Sequence, residues 1–340
     1  MRLSFFVLCS TVFLFSATYS CKSPSRGENI STAPVEDSSI QQAPKDSLAE
    51  AYGFTDLETD FTKHSILLDS IHDGGPAKNG IPAIDFPEFM TVEMSHGFLS
   101  APDFGILVQG KSETKFYPFS ILNWHEIVND NIDGLPVAVT FCPLCGSSLV
   151  FKRVANGDTL VFGVSGKLYE SNLLMFDDKT ESLWSQAMGE AVVGSYTGSK
   201  LELLNSAVVS FEDVQQNFPQ AKILSPKTGF DRNYTQHPYA DYMSNEELYF
   251  PVSKESNRFP AKEIMYIVKA GNSSVAFNWL SLLKSGKAEM KTPHGVVSVK
   301  VEKNIPSALL KETGELLPAY FSFWFSWYTI YGQAGLVWSK

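Results

Sequence analysis

Short apolar runs interrupted by turn residues are what most constrain this chain. Segments rich in Val, Ile, Leu, Phe and Tyr recur at residues 104–108, 137–141, 148–153, 159–164, 173–177, 191–196 and 200–204, separated by Gly, Asn, Asp or Pro. Runs of this length, rich in β-branched and aromatic residues and bounded by turn formers, read as strands. Within residues 150–164 the pair Asn156-Gly157 supplies two positions that tolerate positive φ, so this stretch reads as a hairpin. Helical signals are fewer: residues 118–129, residues 210–218 with Ser210 ahead of an acidic first turn and Pro219 behind, and residues 281–284. The expectation is a mainly β protein with a few helices (α+β), built as one mixed-sheet globular domain over residues 51–340. Roughly 290 residues are ample for such a core.

The start of the chain speaks to compartment. Met1-Arg2 is a short basic start and residues 5–17 are apolar, the length and polarity of an export signal and short for a membrane span. Thr18-Tyr19-Ser20-Cys21 resembles the lipobox of bacterial lipoproteins, with Thr18 where Leu is usual. Residues 1–21 are thus read as signal peptide and lipobox, with Cys21 the lipid-bearing residue; an ordinary cleaved signal leaving a free Cys21 is the alternative. Residues 22–50 are rich in Ser, Pro, Ala, Gln and charge, and read as a flexible tether. The expected location is the bacterial cell envelope, with the membrane, through lipid, as the one identifiable partner. A formal net charge of −10 without a dense basic run argues against nucleic acid. Aromatic residues make up 13% of the chain and are read as core anchors rather than a carbohydrate platform.

Chemistry concentrates in Phe141-Cys142-Pro143-Leu144-Cys145-Gly146. The chain has four cysteines, and Cys142 and Cys145 are the two outside the signal region. A two-residue spacer lets both sulfurs face one point, as a disulfide, as half of a metal knuckle or as a redox pair. Zinc would need two more ligands, and none of His64, His72, His96, His125, His237 and His294 stands at a metal-ligand spacing from another. Copper(I) needs only two thiolates. Strand-like residues precede the pair, and turn and strand follow it, unlike pairs that open a helix.

Gly163-Val164-Ser165-Gly166-Lys167 fits neither a nucleophile elbow nor a phosphate loop, and Asp177-Asp178 reads as a turn rather than a calcium loop. Residues 228–239 gather Arg232, Tyr234, His237 and Tyr239 in a stretch too polar for a core strand, a candidate ligand-binding loop. Arg232 suits an anion, and His237 suits a proton switch or a soft metal. This loop is expected to form the second wall of the cysteine site. A faint echo links residues 115–122 with residues 274–283, each followed by strands and a helix; it is read as coincidence of pattern, with a degenerate duplication as the alternative.

Taken together, His125-Glu126-Ile127-Val128-Asn129-Asp130, residues 136–146, residues 162–169 and Ser182-Leu183-Trp184-Ser185-Gln186 resemble the bacterial and archaeal family known as domain of unknown function 3179. Gly194, Gly198 and residues 228–242 belong to the same pattern, and Gly74-Gly75-Pro76 with residues 80–85 resembles its usual leader. The resemblance is strongest over residues 74–242. It implies an envelope location and a Cys-Pro-Leu-Cys centre, here Cys142 and Cys145, and it implies no particular reaction. The expected function is therefore a membrane-anchored binding or structural lipoprotein with a disulfide or soft-metal (copper or zinc) centre; the alternative is a thiol oxidoreductase or another envelope enzyme using the pair.

Overall fold

Residues 264–302 repeat the order of elements in residues 104–142 at a spacing of 160 residues. The computed structural model describes residues 45–339. In the first copy, strands Phe104–Gln109 and Thr114–Pro118 lead into helix Phe119–His125, then strands Ile127–Ile132, Leu135–Cys142 and Ser147–Lys152. The second copy runs Ile264–Ala270, Ser273–Asn278, helix Trp279–Ser285, Lys287–Thr292, Gly295–Glu302 and Ile305–Leu310. Each copy closes in the same way. Ala207–Ser210 lies antiparallel on Phe104–Gln109, as Ala319–Phe323 does on Ile264–Ala270. A helix follows, Phe211–Asn217 or Trp324–Tyr331. The last strand, Lys222–Leu224 or Leu336–Trp338, then adds parallel to Thr114–Pro118 or Ser273–Asn278. The echo read as coincidence is a duplication of topology. Sequence hides it because a strand asks only for apolar alternation, which many sequences satisfy.

Alternation places the cores. Along Ile264–Ala270, Met265 and Ile267 enter the cluster that holds the cysteines, while Tyr266, Val268 and Ala270 enter another. Two departures distinguish the copies. The first carries an insertion, residues 153–206, whose strands Phe162–Tyr169, Asn172–Asp177, Leu183–Ser185 and Glu190–Val193 join the earlier Ile71–Asp73 in a five-stranded sheet. The second bridges the same gap with residues 311–318. The copies also share a sheet. Phe321 pairs with Ser148, joining strands of both into one eight-stranded sheet.

The mainly β expectation agrees with 23 strands and seven α-helices among the described residues. The single mixed sheet does not: the described residues form five sheets of two to eight strands, because each buried face of a duplicated, inserted chain needs its own partner layer. The helix expected over residues 118–129 stops at His125, where Glu126 turns to φ 58 and a strand begins at Ile127. Asn156 (φ 51) and Gly157 (φ 87) do make a tight turn, but its hairpin is only Val154–Ala155 with Asp158–Thr159. The flanking runs pair elsewhere, with Leu135–Cys142 on one side and Asn172–Asp177 on the other. Helix Phe211–Asn217 starts with the expected cap, a box in which Ser210 and Asp213 satisfy each other's backbone N–H. Helix Lys45–Tyr52 crosses the expected tether boundary at residue 50, with Leu48 and Tyr52 packed on the cluster of Phe54 and Phe61. The signal segment, Cys21 and the tether up to residue 44 lie outside the described residues. Among the described residues no helix is long and apolar enough to cross a membrane.

Candidate functional site

Cys142 ends strand Leu135–Cys142, residues Pro143–Cys145 make one 3₁₀ turn, and strand Ser147–Lys152 returns antiparallel, with Cys142 opposite Ser147. At the matching place the second copy makes a tighter turn at Lys303 (φ 52) and Asn304 (φ 62). The cysteine knuckle is thus a hairpin turn lengthened from two residues to four. Gly146 makes the length possible. Its φ is 55, and a Cβ there would stand 2.6 Å from the ring of Phe323 in the second copy.

Both cysteines are free and buried, Cys142 at 2% exposure and Cys145 at 0%. Their environments differ. Burial pushes the Cys142 thiol well up, and its hydrogen bond to Cys145 adds to this. Burial also raises Cys145, but interactions with Cys142, Asn172 and Ser326 outweigh it, so its thiol falls below the ordinary value. While protonated, Cys145 Sγ donates to Ser171 O at 3.2 Å. Asn172 is aimed by a buried polar network. Its Nδ2 donates to Gln186 Oε1 (2.9 Å), and Gln186 Nε2 donates to Thr140 Oγ1 (3.0 Å) and Ser147 O (3.1 Å).

Glu126 is the residue that motif reading passed over. It caps helix Phe119–His125 at φ 58, ψ −30, where the second copy has Gly286 at φ 68, ψ −15. A glutamate held where its counterpart is glycine marks a strained position, since this backbone conformation favours a residue without Cβ. Burial pushes that carboxyl up to about 7, only partly opposed by the hydrogen bond from Tyr239 Oη at 3.1 Å. Its charge is felt by both thiols.

Residues 228–242 do reach this site, through residues other than those expected to lead. Tyr239 meets Glu126, and the fully buried Tyr242 donates from Oη to Leu144 O at 2.8 Å, inside the knuckle. Tyr234 instead meets His125. Since a carbonyl can only accept, His125 Nδ1–H donates to Pro82 O (2.7 Å), and Nε2 accepts from Tyr234 Oη (2.8 Å), itself bonded to Thr228 Oγ1. Burial and then the Arg232 charge lower the His125 pKa against the Pro82 bond, so the ring is neutral. Arg232 lies exposed with its guanidinium 6.0 Å from the Trp124 ring centroid, and His237 is exposed, accepting from Tyr239 N–H at 3.1 Å. Among the described residues neither meets a sulfur. No group of three or more His, Cys, Asp or Glu stands in a metal-holding arrangement among them either.

The remaining motif residues are scaffold. Lys115 Nζ donates to Asp130 Oδ2 at 2.9 Å and Tyr117 Oη donates to the same oxygen at 2.6 Å, while Asn129 binds the main chain of Phe162. Gly166 (φ 76) lets strand Phe162–Tyr169 bulge against the leader, where a Cβ would stand 2.0 Å from Pro76 O. Asp177 accepts from Lys179 N, Thr180 N and Trp184 Nε1 and closes a turn.

The fold and site define a duplicated β-rich protein whose first copy carries a buried dithiol within electrostatic reach of a buried, elevated carboxylic acid. The chain belongs to the family described as protein of unknown function (DUF3179), matched over residues 78–313, a span that takes in the first copy and the second as far as strand Ile305–Leu310. No curated protein and no solved structure matches it.

Proposed function

We propose that Cys142 and Cys145 are a thiol redox centre in an envelope protein anchored by lipid on Cys21. The observation that carries this reading is Glu126, a buried carboxyl pushed up to about 7 beside two hydrogen-bonded thiols. Thiol–disulfide exchange needs one thiolate formed readily and a base for the second proton. Cys145 supplies the first. Its thiolate attacks a partner disulfide, forming a mixed disulfide and releasing one partner thiol. Cys142 passes its proton to Glu126 and attacks the Cys145 sulfur, releasing the second partner thiol. Two electrons move to the partner, and the pair is left as a disulfide. Because Tyr242 and Leu144 cover the knuckle, the rate of exchange should follow displacement of residues 228–244.

Equilibration of the purified protein in glutathione buffers, followed by alkylation and mass analysis, tests this. Reversible loss and return of two alkylation sites at Cys142 and Cys145 is the expected outcome. In Glu126→Gln the rate of oxidation should fall by about tenfold or more near pH 7. A pair that oxidises only in unfolded protein would make it a folding staple and sink the redox reading. The two-thiolate geometry also suits copper(I), a second reading supported by the depressed Cys145 thiol; metal bound stoichiometrically after native purification, and blocking alkylation, would favour it. Lipid anchoring is supported by residues 18–21 alone, and labelled palmitate incorporated by the wild type and lost in Cys21→Ala is the expected result.

A further inference from the structure

A cavity of about 380 Å³ is lined by residues of both copies and of the insertion, Tyr331 among them. Its lining is mixed: Leu149, Phe151, Leu203 and Tyr320 supply apolar surface, and Glu190, Lys200 and Asn272 supply polar surface. Lys269 enters it from strand Ile264–Ala270, on the face that carries Met265 and Ile267 into the core. Among the described residues its ammonium has no hydrogen bond and no carboxylate within ion-pair distance; it sits 4.0 Å from the Tyr331 ring centroid. The other two charged side chains of the lining pair with each other, Lys200 Nζ with Glu190 Oε2 at 3.4 Å. The scaffold does not require a lysine here, since the matching position of the first copy is Gln109. Burial, and then the Lys200 charge, lower the Lys269 pKa to about 8.

We propose that this cavity is a binding site for a small monocarboxylate with an apolar body, its head on Lys269 Nζ and its tail on the apolar side chains of the lining. The one ammonium without a carboxylate partner calls for a monoanion, and the side chains of Leu149, Phe151, Leu203 and Tyr320 call for an apolar tail beside it. The volume lies within the roughly 300–1,000 Å³ of small-molecule sites. The site is independent of the dithiol chemistry, so failure of either leaves the other standing.

Calorimetric titration with octanoate, octanol and acetate tests it. Octanoate is expected to bind the wild type at least about tenfold more tightly than octanol or acetate. Lys269→Met should weaken octanoate by at least about tenfold, and Lys269→Arg should retain it. Leu203→Trp, which fills the cavity and leaves the charge, should also abolish binding. Octanol binding as well as octanoate, undiminished binding in a folded Lys269→Met protein, or no octanoate binding at millimolar concentration would each overturn the proposal. Should Lys269→Met not fold, the octanol comparison and Leu203→Trp decide.

Discussion

Glu126 is where the residue scale is most informative. A side chain that would sit at about 4.5 in water is carried to about 7 by burial. Its protonated form is the one the fold prefers. The stability this contributes is complete below the unfolded value, near 4.5, and is lost as pH rises through about 7, a loss of about 3 kcal/mol. Glutamine keeps the shape and cannot ionise. Chemical unfolding of the reduced protein at pH 4.5 and pH 8 should therefore show the wild type losing about 3 kcal/mol relative to Glu126→Gln. A difference between the two proteins that does not change with pH would place the carboxyl in water. The same residue explains why the site was only half legible. Cys142 and Cys145 announce themselves by spacing, whereas Glu126 looked like a helix residue until its φ of 58 and its contact with Tyr239, 113 residues away, were seen.

At the scale of elements, local signals were read well and partners poorly. Ser210 and Asp213 cap helix Phe211–Asn217 as their spacing foretells, because a cap is complete within four residues. Ser210→Ala should lower stability by about 1 kcal/mol in urea unfolding; no change would mean that packing of Phe211 and Val214 alone holds the helix. Residues 150–164 show the converse. The turn at Asn156-Gly157 forms, yet the strands around it leave for different sheets. Turn chemistry sets where the chain reverses, and the ladder goes wherever apolar faces match. Residues 228–242 were legible as a polar segment outside the core strands. That Tyr239 and Tyr242, not Arg232 and His237, point to the knuckle depends on contacts with Glu126 and Leu144 that no local pattern encodes.

The whole molecule is two copies of one topology meeting at the site. The knuckle and Glu126 come from the first copy, Asn172 from the insertion, Phe323 and Ser326 from the second copy, and Tyr239 and Tyr242 from the segment between. The copies are not separable on this view, since Phe321 pairs with Ser148 and the Phe323 ring packs on Gly146. A chain ending at residue 263 should lose its cooperative unfolding transition and label at both cysteines at once. A cooperative transition with protected thiols would show that the first copy folds alone.

The amino-acid sequence by itself determined the mainly β character, the turn at Asn156-Gly157, the cap at Ser210 and the cysteine knuckle, all set by φ preferences, alternation and hydrogen bonds within a few residues. Tertiary structure alone decided the duplication, the division into five sheets, the elevated Glu126 and the asymmetry of the two thiols. Those depend on burial and on partners tens to hundreds of residues away. A pairing ladder accepts many apolar sequences, and a pKa answers to the final surroundings of a group rather than to its neighbours in the chain.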